Sequence, residues 1–314
     1  MSFRSTDIAI IGSRIAANMA AAWFKQQHPD LKVTIIGRME KQPPIVGESL
    51  TEYTAVFLRT IGMGDVLETK HMPKYGLTYY FKEKLEDPGD RRYAVHEAPR
   101  VPNIPTFLIN RFTFDHDLVE LNRTRGIEFI DRQVSDVELG TGGGRHTLRL
   151  KNGENEAAGE DTISARWVVD CSGRRRFLAR KLGLHCDPLF QRSTFWFRLA
   201  DFDVALLRNL EAVKAAQPPF DSYTATHHFL GKGNWIWCIP LRSEQHRTFI
   251  SIGITYRPEM LASITSMEEF LRHVDTEHPV VGDLVRSGTV VDTNSYGSYM
   301  YEASQLYSED RWFL

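Results

Sequence analysis

The stretch from Asp7 to Ile36 constrains this chain more than any other. DIAII (7–11) is a short apolar run that Gly12 ends; Arg14 to Gln27 then sets alanines and large apolar residues at helical spacing, and KVTII (32–36) is a second β-rich run. A strand, a glycine turn, a helix and a second strand in that order open a dinucleotide-binding unit on a parallel sheet. The turn reads Gly12-Ser13-Arg14-Ile15-Ala16-Ala17. Such a unit prefers GxGxxG, in which the first glycine makes the turn, the second admits the pyrophosphate and the third lets helix pack on strand. Gly12 is kept, Arg14 replaces the second glycine and Ala17 stands in for the third. Where a carboxylate ordinarily holds a ribose, at the end of the second strand, the chain has Gly37-Arg38, a basic side chain suited to a phosphate. Taken alone, the loop reads equally as a nucleotide loop or as an ordinary turn.

Further elements follow. Ser49 to Ile61 reads as a helix with Ser49 or Thr51 as its cap and Gly62 at its end. Gly76 to Phe81 reads as a strand, the proline-rich 99–105 segment as a loop, and Phe114 to Arg125 as a helix closed by Gly126. Strands at 127–129, 134–139 and 146–150 enclose a TGGG hairpin turn (141–144), and WVVD (167–170) reads as a buried parallel strand. Beyond Gly183 the alternating segments TFWFRL (194–199), WIWCIPL (235–241) and TFISIGIT (248–255) predict an antiparallel sheet. The fold class is therefore α/β: a doubly wound domain over 1–185 with a substrate-side insertion near 75–105, then an antiparallel-sheet substrate region over 186–314.

Composition narrows the function. The 38 basic residues nearly balance the 40 acidic ones, so nothing attracts nucleic acid or an anionic membrane in bulk. The N-terminus shows no signal-peptide pattern and no later apolar run is long enough to span a bilayer. Three widely spaced cysteines, Cys171, Cys186 and Cys238, suit a reducing cytoplasm better than a disulfide framework or zinc site. His227-His228 lack a third ligand at metal spacing and read as packing or substrate-wall residues, so no metal is expected. Hydrolase, zinc-protease and NTPase motifs are missing too. Small-molecule chemistry is what is left.

Three segments carry ligand chemistry beside a plainer reading. Val46-Gly47-Glu48-Ser49 precedes a helix, so it is either an N-terminal cap or a cradle for an anion or a ring carbonyl. Arg111 in FLINR meets either a phosphate or an acidic neighbour, and Asp170-Cys171-Ser172-Gly173 ends a buried strand at the edge where α/β folds bind ligands. In WIWCIP, Trp235 and Trp237 share one face of a strand while Ile236 and Cys238 share the other, and Pro240 marks a strand end or edge.

The broken GxGxxG, VGES, PKYGLTYYF, FLINR, WVVDCSGRRRFLARKLGL and WIWCIP, taken in this order, resemble the flavin-dependent halogenases of the tryptophan halogenase superfamily. That family shares its FAD-binding fold with flavin monooxygenases of the hydroxybenzoate hydroxylase type. The resemblance implies a halogenase that takes FAD as FADH2 from a partner flavin reductase, with O2 and with chloride or bromide as co-substrate. Its substrate would be an electron-rich aromatic, of phenol, pyrrole or indole type, free or bound to a carrier protein. By motif position Lys74 is the lysine that presents the halogen, with Lys70 and Lys82 as neighbouring alternatives. The resemblance puts Gly12, Ser13 and Ala16 at the pyrophosphate, Arg38 at the adenosine, Gly47, Glu48 and Ser49 near the flavin, and Arg111 and the Val134 backbone on the adenosine and phosphate side. Trp235, Trp237, Ile239 and Pro240 become a wall between flavin and organic substrate.

The family continues past this point with a segment reading roughly GDA and a halide site, whereas the sequence ends SEDRWFL (308–314), so the resemblance implies a substrate region incomplete at its C-terminus. Two rival readings stand beside it: a monooxygenase or dehydrogenase on the same fold, and a noncatalytic flavin-binding or partner-binding protein.

Overall fold

The computed structural model describes residues 3–39, 45–84, 87, 89–98, 100–151, 161–210 and 220–314; Pro99 of the proline-rich loop lies outside them. The chain divides into two compact units, Met1–Pro43 with Thr113–Pro188 and Tyr301–Leu314, and Pro44–Phe112 with Leu189–Met300. They interleave along the chain, where the sequence reading divides it at residue 185. The reason is topological: the chain leaves the first sheet after its second strand, builds part of the second unit, and returns.

In the first unit the strand order is β18-β19-β10-β1-β2-β7, with β8 and β9 as a hairpin against β10. The strands are β1 (Phe3–Ile11), β2 (Val33–Ile36), β7 (Glu128–Ile130), β8 (Val134–Glu138), β9 (His146–Leu150), β10 (Thr162–Asp170), β18 (Tyr307–Ser308) and β19 (Trp312–Phe313). β1 runs parallel to both β2 and β10, and β10 to β19. The apolar run of β1 is buried on both faces: Ile8 and Ile10 pack with Ala17 and Ala21 of the helix Ile15–Gln27, Ala9 and Ile11 with Val137, Leu148 and Trp312. That two-sided burial is why the strand reads as continuous rather than alternating. The chain leaves β1 toward β2 on one side while β10 flanks it on the other, so the carboxyl end of β1 is the switch point where such sheets bind ligands.

The second unit is built on a seven-stranded sheet, order β16-β12-β15-β14-β13-β4-β5. Its strands are β4 (Leu77–Lys82), β5 (Tyr93–His96), β12 (Ser193–Ala200), β13 (Thr226–Leu230), β14 (Asn234–Pro240), β15 (Phe249–Tyr256) and β16 (Thr289–Tyr296). The expected antiparallel pairing of β12, β15 and β14 is present. The 75–105 segment is part of this sheet: β4 pairs parallel with β13 and antiparallel with β5. A separate pair joins β3 (Met72–Lys74) to β6 (Thr106–Leu108), and in the first unit β11 (His185–Cys186) pairs β17 (Glu302–Ala303).

One face of the large sheet, with Phe195, Phe197, Ile236, Cys238, Ile252 and Ile254, packs on the helices Met267–Glu277 and Pro279–Arg286. The opposite face carries Trp196, Trp237 and Ile239, packed with Leu108, Leu241 and Phe249. No helix among the described residues is long and apolar enough to cross a membrane.

Candidate active site

Gly12 in the first unit has φ +119°, and a Cβ there would fall 2.3 Å from the Cys171 carbonyl oxygen. The turn is thus closed to any side chain. Gly37 is equally constrained, since its Cβ would lie 2.8 Å from the Ser13 nitrogen. The missing ribose carboxylate therefore has a steric cause: the loop passes over the end of β2. The Ser13 hydroxyl donates to the Arg38 carbonyl at 2.6 Å, which joins two of the sequence-selected residues. Ala17 is fully buried, as a helix-packing substitute for glycine must be, whereas Ala16 and Arg38 are exposed. Asn18, which the sequence reading passed over, donates to the Ser13 and Arg14 carbonyls at 2.8 and 3.1 Å and so fixes the loop. A helix leaves its first N–H groups without intrahelical partners, so the start of Ile15–Gln27 can receive a phosphate.

At the neighbouring strand end the Asp170 carboxylate accepts from the Ser172 and Leu178 N–H groups at 2.8 and 2.7 Å, which shapes the turn and the start of the helix Phe177–Lys181. Val134 is buried, and its carbonyl accepts from Arg175 at 2.6 Å, so one member of the RRR run is committed to this backbone.

The second unit gathers the remaining selected residues around Val46–Leu50. This segment lies against β6: Ile109 N–H donates to the Glu48 carbonyl at 2.7 Å and Leu50 N–H to that of Phe107 at 3.0 Å. Arg111 is buried and donates to the Val46 carbonyl at 2.9 Å; Gly47, at φ +103°, lies under its guanidinium. Thr51, not Ser49, caps the helix Glu52–Thr60, and the Ser49 hydroxyl instead meets that of Thr226 at 2.8 Å. The helix holding Arg111 begins at that residue, not at Phe114, because the Asn110 side chain accepts from the Phe112 N–H.

Glu48 is buried, and its Oε2 has no hydrogen-bond partner among the described residues. Burial raises its pKa to about 7, against the opposing pull of a Ser251 hydrogen bond and of the Arg198 and Arg111 charges. Ser251 in turn accepts from the Trp237 indole N–H at 3.3 Å. Arg198 is ion-paired with Asp292.

Lys74, 7% exposed, donates from Nζ to the Leu50 carbonyl at 2.7 Å, and Thr106 donates to the same oxygen at 2.9 Å. Burial pushes the pKa of this amine down, with Glu52 opposing. His228 is pushed down to about 4, by burial and then by the Lys74 charge. Its ring stacks on Tyr79 at 5.2 Å. Trp196, Gly253, Trp237, His228 and Tyr79 form one register row across five strands. Trp237 and Ile239 lie on this face as the alternation requires, Trp235 is half-buried, and Pro240 ends β14. His227, one residue before His228, points into the opposite core.

A family model described as tryptophan halogenase matches residues 90–287. The chain belongs to the tryptophan halogenase family. Among its halogenase relatives, the flavin-dependent halogenase chlA of Dictyostelium discoideum is 25% identical over 98% of this chain and 54% of its own length. A 1H-pyrrole-2-carbonyl-[peptidyl-carrier protein] chlorinase of Pseudomonas fluorescens is 28% identical over 86% of this chain and 60% of its own. The fold matches that of halogenase PltM, solved with phloroglucinol and FAD, at a TM-score of 0.79 and 16% identity, covering 98% of this chain and 63% of that one. The chain spans little more than half the length of the curated relatives it matches. Within this halogenase-family chain, the residues that sequence reasoning missed, Asn18, Ser251, Arg198 and Asp292, are polar side chains scattered over distant segments. Arg198 and Asp292 become partners only through the pairing of β12 with β16.

Proposed function

We propose that this chain acts in the flavin-dependent halogenation of an electron-rich aromatic of phenol, pyrrole or indole type. The observation that carries the reading is the Lys74 amine: buried, depressed in pKa and held by a backbone carbonyl. A desolvated amine is more readily neutral and nucleophilic, and its protonated form is a strong donor, so either state can present an electrophilic halogen.

Gly12, Ser13 and Ala16 would receive the pyrophosphate of FAD, with Arg38, Arg111 and the Val134 backbone on the adenosine and phosphate side and Gly47, Glu48 and Ser49 near the flavin ring. The glycine turn without room for a Cβ, at the start of a helix and at a sheet switch point, fits that ligand. When bound as FADH2, the cofactor supplies the oxygen activation that turns chloride or bromide into an electrophile. Trp235, Trp237, Ile239 and Pro240 would act as a rigid wall that keeps the organic substrate off the flavin. We assign a flavin reductase as the source of FADH2, a substrate that is free or carrier-bound, and a cytoplasmic location.

The test is product analysis of the chain supplied with FADH2 by a flavin reductase, oxygen and a panel of phenols, pyrroles and indoles, with and without bromide. Brominated product that requires bromide is expected. An oxygenated product formed equally without halide would instead make the chain a monooxygenase.

A further inference from the structure

The core of the second unit holds two tyrosine–histidine pairs that the halogenation chemistry leaves unused. Tyr80, fully buried on β4, places its hydroxyl 2.9 Å from Nδ1 of His227 on β13. The other ring nitrogen of His227, Nε2, faces the Tyr223 carbonyl oxygen at 3.5 Å. A carbonyl only accepts, so Nε2 carries the proton, Nδ1 is the lone pair, and the phenol is the donor. Beside this pair, Tyr93 on β5 lies 3.3 Å from Nδ1 of His278. The two phenol rings meet edge to face with centroids 6.0 Å apart, and Phe229 stacks on Tyr80 at 4.4 Å.

Satisfying a buried phenol needs only an acceptor, and a backbone carbonyl would serve. Both tyrosines instead face a neutral imidazole, which is also a base. Burial holds His227 and His278 uncharged, each with its pKa near 4, and pushes the Tyr80 phenol far above its ordinary value. Tyr80 therefore does not ionise by simple proton loss. A phenol cation radical is a far stronger acid than the phenol, and protonates even a weakly basic imidazole.

We propose that Tyr80–His227 and Tyr93–His278 form a relay for oxidising equivalents, in which each tyrosine gives up an electron as its phenolic proton crosses to its histidine. A one-electron oxidant of the indole cation radical class takes an electron from Tyr80; the O–H bond breaks, an N–H bond forms at Nδ1, and a neutral phenoxyl radical faces an imidazolium. An electron from Tyr93 then refills Tyr80 while the proton returns from His227, and the Tyr93 proton crosses to His278. A thiol- or ascorbate-class reductant gives Tyr93 one electron, the proton returns from His278, and both pairs are restored. The inner end adjoins the tryptophan strand, because His227 is the register partner of Cys238, the residue after Trp237. The outer end lies on β5, the edge strand. Use of the relay to drain stray oxidation from an oxygen- and halide-handling site rests on the halogenation reading; the redox chemistry of the pairs does not.

The test needs neither flavin nor halide, so its failure is separable from failure of that reading. The chain is photo-oxidised with a ruthenium polypyridyl sensitiser and a sacrificial acceptor, treated with ascorbate to clear radicals on exposed tyrosines such as Tyr53 and Tyr307, and frozen for electron paramagnetic resonance. With both pairs intact ascorbate should quench the buried tyrosyl signal through Tyr93, whereas in Tyr93→Phe an ascorbate-resistant tyrosyl signal at Tyr80 is expected, formed more slowly in D2O. Adding Tyr80→Phe, which keeps the ring stack, to Tyr93→Phe should abolish that protected signal. A parent signal as resistant to ascorbate as that of Tyr93→Phe, no protected signal in Tyr93→Phe, or one surviving in the double variant would overturn the relay.

Discussion

Gly253 lies directly beneath the Trp237 indole. The two are register partners on β15 and β14, and a Cβ at Gly253 would fall 2.3 Å from Cζ2 of Trp237 and 2.7 Å from Cβ of Trp196. The glycine makes room for the indoles of the two strands that flank its own, β12 and β14. Gly253→Ala should therefore cost about 1–3 kcal/mol by overpacking, and Gly253→Val more. Denaturant unfolding gives the stability, and tryptophan emission should shift to the red as the indole is displaced. An unchanged midpoint together with an unchanged spectrum would mean that the indole is not held against the strand.

Lys74→Met separates a chemical role for the amine from a structural one. The Leu50 carbonyl that accepts from Lys74 keeps Thr106 as a second donor, so the substitution strands no buried acceptor. It also removes an amine whose charged form burial disfavours. The expected outcome is loss of halogenated product with a melting temperature unchanged or raised. Retained halogenation would remove Lys74 from its role, whereas a collapse in melting temperature would make the amine structural.

What local sequence made legible, and what it did not, follows from the range of the forces involved. The opening β1–helix–β2 unit is written in local periodicity and one glycine, and the two faces of β14 in simple alternation. The helices Met267–Glu277 and Pro279–Arg286 also carried a readable signal, a Ser266–Glu269 capping box and a proline at a helix start, which the sequence reading passed over. By contrast, the parallel pairing of β4 with β13 depends on register between segments far apart in sequence, which leaves no local trace. The raised pKa of Glu48 is of the same kind, since burial comes from the whole of its surroundings. So is the need for Gly37, which answers to the loop at Ser13 rather than to its own neighbours.

Restoring an acidic residue at the end of β2 should weaken flavin binding, although nucleotide-binding folds commonly place one there. Any Cβ at Gly37 meets the Ser13 nitrogen at 2.8 Å and its Cβ at 2.9 Å, both in the loop that turns at Gly12. Gly37→Glu should displace that loop, lower thermal stability and reduce FAD affinity, as followed by flavin fluorescence titration. Tighter FAD binding in this variant would show that the loop tolerates the side chain.

Glu48 should make stability depend on pH across the neutral range. Its folded pKa is raised to about 7 by burial, against an ordinary glutamate value of about 4.3. Below the ordinary value both states are protonated and the full stability is present. Between the two values the unfolded chain ionises while the folded chain holds its proton, so stability falls as pH rises, and the loss is complete above the folded value. The loss amounts to roughly 4 kcal/mol. Glu48→Gln keeps a group able to accept from Ser251 and cannot ionise, so it should remove most of this slope and leave the variant more stable than the parent at pH 8. Denaturant midpoints for the two proteins between pH 5 and 8 give the comparison. Parallel curves would show that Glu48 is ionised in the folded chain throughout, with Arg111 and Arg198 offsetting its burial.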